Sequence, residues 1–227
     1  MPLHTDKHYE EELQQLRAKI LEMGGLVEKQ ISDAVASLVE RNSTQARGVI
    51  ERDHVVNRLD VETDELCIRL LALHQPTARD LRFITTGLKI TTDMERMGDM
   101  AVNICERALE LNEEPPLKPY IDIPRMVEWA QAMLKDSLDA FVKENTELAL
   151  SVCQRDDFID NLTSQIFREL LSYMAEDPKT VTRATRILFV AKYLERIADH
   201  ATNIAEMVIY MVKGKSIRHM SPLPSSV

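Results

Sequence analysis

LKITTDMERMGDMAVNICE, residues 88–106, and LFVAKYLERIADHATNIAE, residues 188–206, stand one hundred positions apart and agree at eight of nineteen positions. The agreements are Leu88/Leu188, Glu95/Glu195, Arg96/Arg196, Asp99/Asp199, Ala101/Ala201, Asn103/Asn203, Ile104/Ile204 and Glu106/Glu206. Self-similarity at a fixed spacing marks a repeated structural unit. Working outward, ERDHVVNRL (51–59) lies over QRDDFIDNL (154–162), so the preceding segments match as well. Apolar residues recur every three and four positions nearly throughout, and no convincing period-two segment is present. Both copies therefore read as helix.

Breaks at ERNST (40–44), HQPTARD (74–80), LNEEPPLKPYIDIP (111–124), KEN (143–145) and AEDP (175–178) divide the chain into six long helices. The expected fold class is all-α, two tandem three-helix bundles related by the internal repeat, each burying one apolar stripe per helix. The first bundle covers 1–114, the second 115–215, and the proline-rich linker is the boundary. Residues 216–227 form a tail expected to fray. Thr77 followed by Asp80 reads as a capping box with Asp for the usual Glu, and Asp177-Pro178 as an N-cap with a first-turn proline.

The 227 residues are 44% hydrophobic, 29% charged and only 5% aromatic, a helix-leaning composition. A net charge of −9 disfavours direct contact with nucleic acid, which is bound through Lys and Arg. Cys67, Cys105 and Cys153 stand apart on apolar helical patterns and are expected to be reduced core thiols. The polar start MPLHTDKHYEEELQQL does not read as a signal peptide, and no run of about eighteen apolar residues exists to span a bilayer. Any membrane role is expected to pass through a partner.

The third helix of each copy carries an acidic line. Glu195, Asp199, Asn203 and Glu206 share a stripe roughly 80° wide at about 100° per residue, and Met97, Ala101, Ile104 and Ala108, like their counterparts, lie opposite it. Like charges four apart on a helix repel. On the second helix Asp53 and Asn57 are four apart, as are Asp156 and Asp160. In an antiparallel hairpin, equal rise per residue sets Asp53 level with Asp99 and Asn57 with Glu95. In the second copy the same rule sets Asp156 level with Asp199 and Asp160 with Glu195. Two readings stay open: solvated faces with loose pairs to Arg96 and Arg196, or two quartets of hard oxygen ligands able to hold metal ions.

Other candidates are weaker. His54, His74 and His200 are scattered, with His200 expected at the surface, and no HExxH, P-loop, Rossmann or nucleophile-elbow motif occurs. Gly87 and Gly98 lie inside helices, where close packing is the simplest reason for them. The methionines read as core filling, with an adaptable partner surface as the other use.

The segments DMERMGDMAVNICERALEL and YLERIADHATNIAEMVIYMVKG, with HQPTARDLR and the doubled layout, resemble the PhoU family of regulators of phosphate uptake, over about residues 5–215. The resemblance implies cytoplasmic or membrane-associated helical proteins, often dimeric, some carrying multinuclear iron or zinc clusters at E(D)xxxD motifs. It implies repression of the phosphate regulon when phosphate is plentiful, by joining the ATPase of the phosphate ABC transporter (Pst) to its sensor histidine kinase. Glu95, Asp99, Glu195 and Asp199 match the family motif, and Asp53, Asp156 and Asp160 match acidic positions of the preceding helices. Asn57 departs from a carboxylate there. The metals the resemblance implies are iron and zinc, and the carboxylate oxygens also suit manganese, magnesium or calcium. A di-metal enzyme or a metal store is the alternative, and the first is disfavoured because no ExxH lies on the stripe.

Overall fold

The computed structural model describes residues 3–217. Helices α1 (Leu3–Val39), α2 (Ser43–Arg52), α3 (His54–His74) and α4 (Ala78–Asn112) build the first repeat. The second consists of α5 (Asp122–Lys143), α6 (Thr146–Cys153), α7 (Asp156–Glu176) and α8 (Val181–Lys213), with a 3-10 turn, Pro178–Thr180, ahead of α8. The six expected rods are present, and the described residues contain no strand. The second and fifth rods differ from expectation in being interrupted near their start, at Asp53 and at Gln154–Arg155.

The repeats end their first helices with one device. Arg41 and Glu144 take a left-handed backbone (φ 57° and 51°), and the next residue, Asn42 or Asn145, caps the following helix with its side-chain oxygen. Arg41 is no glycine, and its guanidinium explains its presence. It donates to the carbonyls of Leu111, Asn112 and Glu114, closing the C-terminus of α4. Asp177 caps as expected, accepting from the Lys179 amide. Thr77 is extended and makes no side-chain cap bond, so the capping box is not formed.

The two repeats share one core. α4 packs most extensively against α8, and α1 also lies against α5. Phe83 of the first repeat stacks on Phe141 of the second, with centroids 5.3 Å apart. Gly24 permits the approach of α1 to α5, because a Cβ there would stand 2.3 Å from Leu138 Cδ1. His200 is the main departure from the sequence reading. It is buried, and its Nδ1–H donates across the seam to the buried Asp93 at 2.7 Å. α8 is packed against four other helices, so even the side of it that flanks the acidic stripe is covered.

The linker is clamped to the second repeat. Arg186 pairs with Glu110 and Glu114, Arg183 donates to the Pro115 carbonyl, and Lys118 pairs with Glu169. Cys67, Cys105 and Cys153 are buried free thiols, each pushed up to about 12 chiefly by burial. Of the expected tail, Ile217 is buried and residues 218–227 lie outside those described.

Candidate functional site

The interruption of the second and fifth rods fixes how the acids are presented. Asp53 stands between α2 and α3, and Asp156 is the first residue of α7. Each carboxylate therefore sits at a helix N-terminus, where free N–H groups favour negative charge. The apolar residues opposite the stripe of α4, Met97, Ala101, Ile104 and Ala108, are fully buried. Packing of that face turns Glu95 and Asp99 toward α3, and in the second repeat Glu195 and Asp199 toward α7.

In the first repeat the acids are near enough to disturb one another. Burial raises Glu95 above the ordinary carboxylate range, and then Asp99, Asp60 and Asp53 add to it. Asp99 is raised by burial and by Asp53. Asn57 Nδ2 donates to Asp53 Oδ2 at 3.0 Å, and Gln30 Nε2 donates to Asp53 Oδ1 at 3.3 Å. Asn57 thus lies on Asp53, four residues back on its own chain.

In the second repeat Asp156 is raised to about 6, first by burial and then by Asp199 and Asp160, and the Thr202 hydroxyl, which donates to Asp156 Oδ1 at 3.2 Å, opposes the rise. Asp199 is raised by burial, Glu195 and Asp160, and Asp160 by burial and Glu195. Among the described residues only Glu195 of the eight candidates has an ion pair, with Lys192. Among the described residues no ion pair joins Arg96 or Arg196 to the stripes, although the Arg96 charge works against the rise of Glu95. Beside this group a groove of about 620 Å³ runs between α7 and α8, past Phe167 and Phe189, which are 44% and 48% exposed.

Residues beyond the eight belong here. Asp60 and Asp64 are both raised by burial, and Asp60 bears on Glu95. Their spacing after Asp53 and Asn57, at i+7 and i+11, continues the same face and was available in the sequence. Gln30 and Thr202 carry no such signal, since they arrive from another helix or as a neutral side chain.

The donors are carboxylate, amide and hydroxyl oxygens, the chemistry of hard cations. The raised proton affinity of Glu95, Asp99, Asp156, Asp160 and Asp199 comes first from burial and then from neighbouring like charge, and a bound cation would offset it. As the side chains stand, no three His, Cys, Asp or Glu groups among the described residues close on one ion. A cation would have to draw them together.

Comparison with known proteins places this geometry. The family model described as PhoU domain matches residues 20–108 and 123–208, one match to each repeat. A phosphate-specific transport system accessory protein PhoU homolog from Pseudomonas putida is 43% identical over 218 residues, covering 96% of this chain and 85% of that protein. The crystal structure of PhoU from Pseudomonas aeruginosa superposes with a TM-score of 0.88 at 42% identity, covering 91% of this chain and all of the other. The phosphate transport system regulatory protein PhoU of Streptococcus pneumoniae gives 0.86 at 30% identity, covering 92% and 98%.

Proposed function

The chain belongs to the PhoU family, and from that premise we propose that it is a non-catalytic adaptor that restrains phosphate uptake and the phosphate regulon when phosphate is plentiful. A role in the regulation of phosphate transport follows from the family itself. The finer reading is a homodimer in the cytoplasm, held at the inner membrane by the ATPase of the phosphate ABC transporter and by a sensor histidine kinase. The observation that carries it is the likeness, over 96% of the chain, to an accessory protein of phosphate-specific transport. No described helix is long and apolar enough to cross a membrane, which fits attachment through partners. The net charge of −9 favours repression through proteins over contact with operator DNA.

The acidic groups have a part in this reading. Asp53, Asn57, Glu95 and Asp99, and in the second repeat Asp156, Asp160, Glu195 and Asp199, would hold iron, zinc, manganese or magnesium. The ion would supply positive charge that offsets the carboxylates and so sets the electrostatics of the face offered to partners.

The test is recovery of partners on the tagged protein from solubilised membranes of cells grown at high and at low phosphate. Transporter ATPase and sensor kinase are expected on the wild type. They are expected to be depleted on a Glu95→Ala, Asp99→Ala, Glu195→Ala, Asp199→Ala protein. Recovery of neither under either condition refutes the adaptor. Metal uptake with unaltered phosphate regulation would favour a metal store instead.

A further inference from the structure

Gln30 is 7% exposed, yet its amide oxygen has no hydrogen-bond partner. The orientation of the amide is set by its neighbour, because Nε2 donates to Asp53 Oδ1, and reversal would press the amide oxygen against a carboxylate. Oε1 is thereby aimed at the acidic group. It lies 3.2 Å from the position a Cβ on residue 98 would take, and Asp53 Oδ1 lies 3.3 Å from that same position. Residue 98 is glycine, so the two oxygens, with Val56 Cγ1 beside them, approach α4 more closely than a side chain would allow, immediately before Asp99. A second buried oxygen of this group, Asp60 Oδ1, is also without a partner.

The second repeat lacks both features. Ion pairs Arg52–Asp33 and Arg155–Asp136 occupy equivalent places and align α1 with α5 at a spacing of 103. At that spacing the counterpart of Gln30 is Met133, fully buried, and at the spacing of 100 that relates α4 to α8 the counterpart of Gly98 is Ala198. Asp160 stands in place of Asn57. One group therefore offers Asp53, Asp60, Glu95 and Asp99 with two amides, and the other Asp156, Asp160, Glu195 and Asp199 with a hydroxyl on Asp156.

We propose that Gln30 completes the first acidic site, its Oε1 serving as a neutral ligand to a cation held with Asp53, Glu95 and Asp99, and that the two sites of the molecule are therefore unlike. This rests on the reading of the acidic groups as cation sites. Neutral oxygens commonly complete the shell of a hard cation, and affinity in such sites follows the charge count.

Manganese(II), read by the electron paramagnetic resonance of the free ion, is the probe, and the full chain is used throughout. Asp199→Ala isolates the first site and Asp99→Ala the second. Adding Gln30→Met to the first is expected to weaken manganese binding about tenfold or more. Gln30→Glu restores an oxygen and is expected to hold the ion at least as tightly as the parent. Gln30→Met in the Asp99→Ala protein is expected to change nothing. An affinity within twofold of the parent for Gln30→Met, or a Gln30→Glu protein as weak as Gln30→Met, overturns the proposal and leaves Gln30 a brace for Asp53. A wild-type chain that binds no manganese at millimolar concentration sinks the cation-site reading itself, a distinct result. Gln30→Glu preserves size and shape, so it keeps the test valid if the methionine variant unfolds.

Discussion

Replacing His200 by Met, the residue at its counterpart position 100, removes the donor that the buried Asp93 carboxylate receives across the seam. Both side chains are about a tenth exposed, so water cannot replace the lost bond without opening the α4–α8 interface. Stranding a buried carboxylate in this way costs about 3–5 kcal/mol. The converse change, Asp93→Leu, strands only an imidazole N–H and should cost about 1–3 kcal/mol. The double variant leaves no orphan, so its loss should fall short of the sum by about 2 kcal/mol, which is the coupling. The assay is urea unfolding of the four proteins at pH 7.5, followed by circular dichroism and read as midpoint and slope. Simple additivity, with coupling below about 0.5 kcal/mol, would refute the argument, since the pair would then contribute no more than two independent polar groups.

Other perturbations follow from the same structure. Asp156 binds its proton more tightly when folded (about 6) than the ordinary 3.8, so the stability this group contributes is present at low pH and lost as pH rises through 4 to 6. The metal-free chain should show a falling Tm over that interval, and Asp156→Asn should flatten the fall and raise Tm at pH 7.5; an unchanged profile would contradict the assignment. Gly24→Ala sets a methyl 2.3 Å from Leu138 Cδ1. The crowding, about 1–3 kcal/mol, should outweigh the helix gain of about 1 kcal/mol, and Leu138→Ala in the same chain should recover part of the loss in a thermal melt. Arg41→Ala loses three carbonyl contacts while keeping the left-handed backbone, and should cost about 1–2 kcal/mol in urea. Arg41→Gly should cost less, because glycine tolerates φ 57°.

The repeat made the architecture readable, because eight coincident positions tie two helices together more firmly than any local propensity does. The acidic groups were readable for a related reason: helices rise equally, so level positions in a hairpin follow from counting, and Asp199 is near enough to raise Asp156, as Glu195 is to raise Asp160. The seam was not readable. No residue near His200 announces that α4 will lie against α8, and judged on its own helix His200 points merely off the stripe. The breaks at Asp53 and Arg155 escaped notice as well, since ERDHV and QRDDF hold neither proline nor glycine and the interruption is imposed by packing. Gln30 could not be found by periodicity, because its importance depends on a glycine sixty-eight residues away in sequence and beside it in space.

The shared core has a consequence for how the molecule is gripped. Tandem units joined by a slack tether move independently, and a partner touching both can choose their separation. Here Phe83 on Phe141, Gly24 against Leu138 and the clamped linker make one body. The spacing between the two acidic groups is therefore fixed, as between the jaws of a gauge locked at one setting. Anything that engages both must match that span, so the recognition of the pair is a measurement of length as much as of charge.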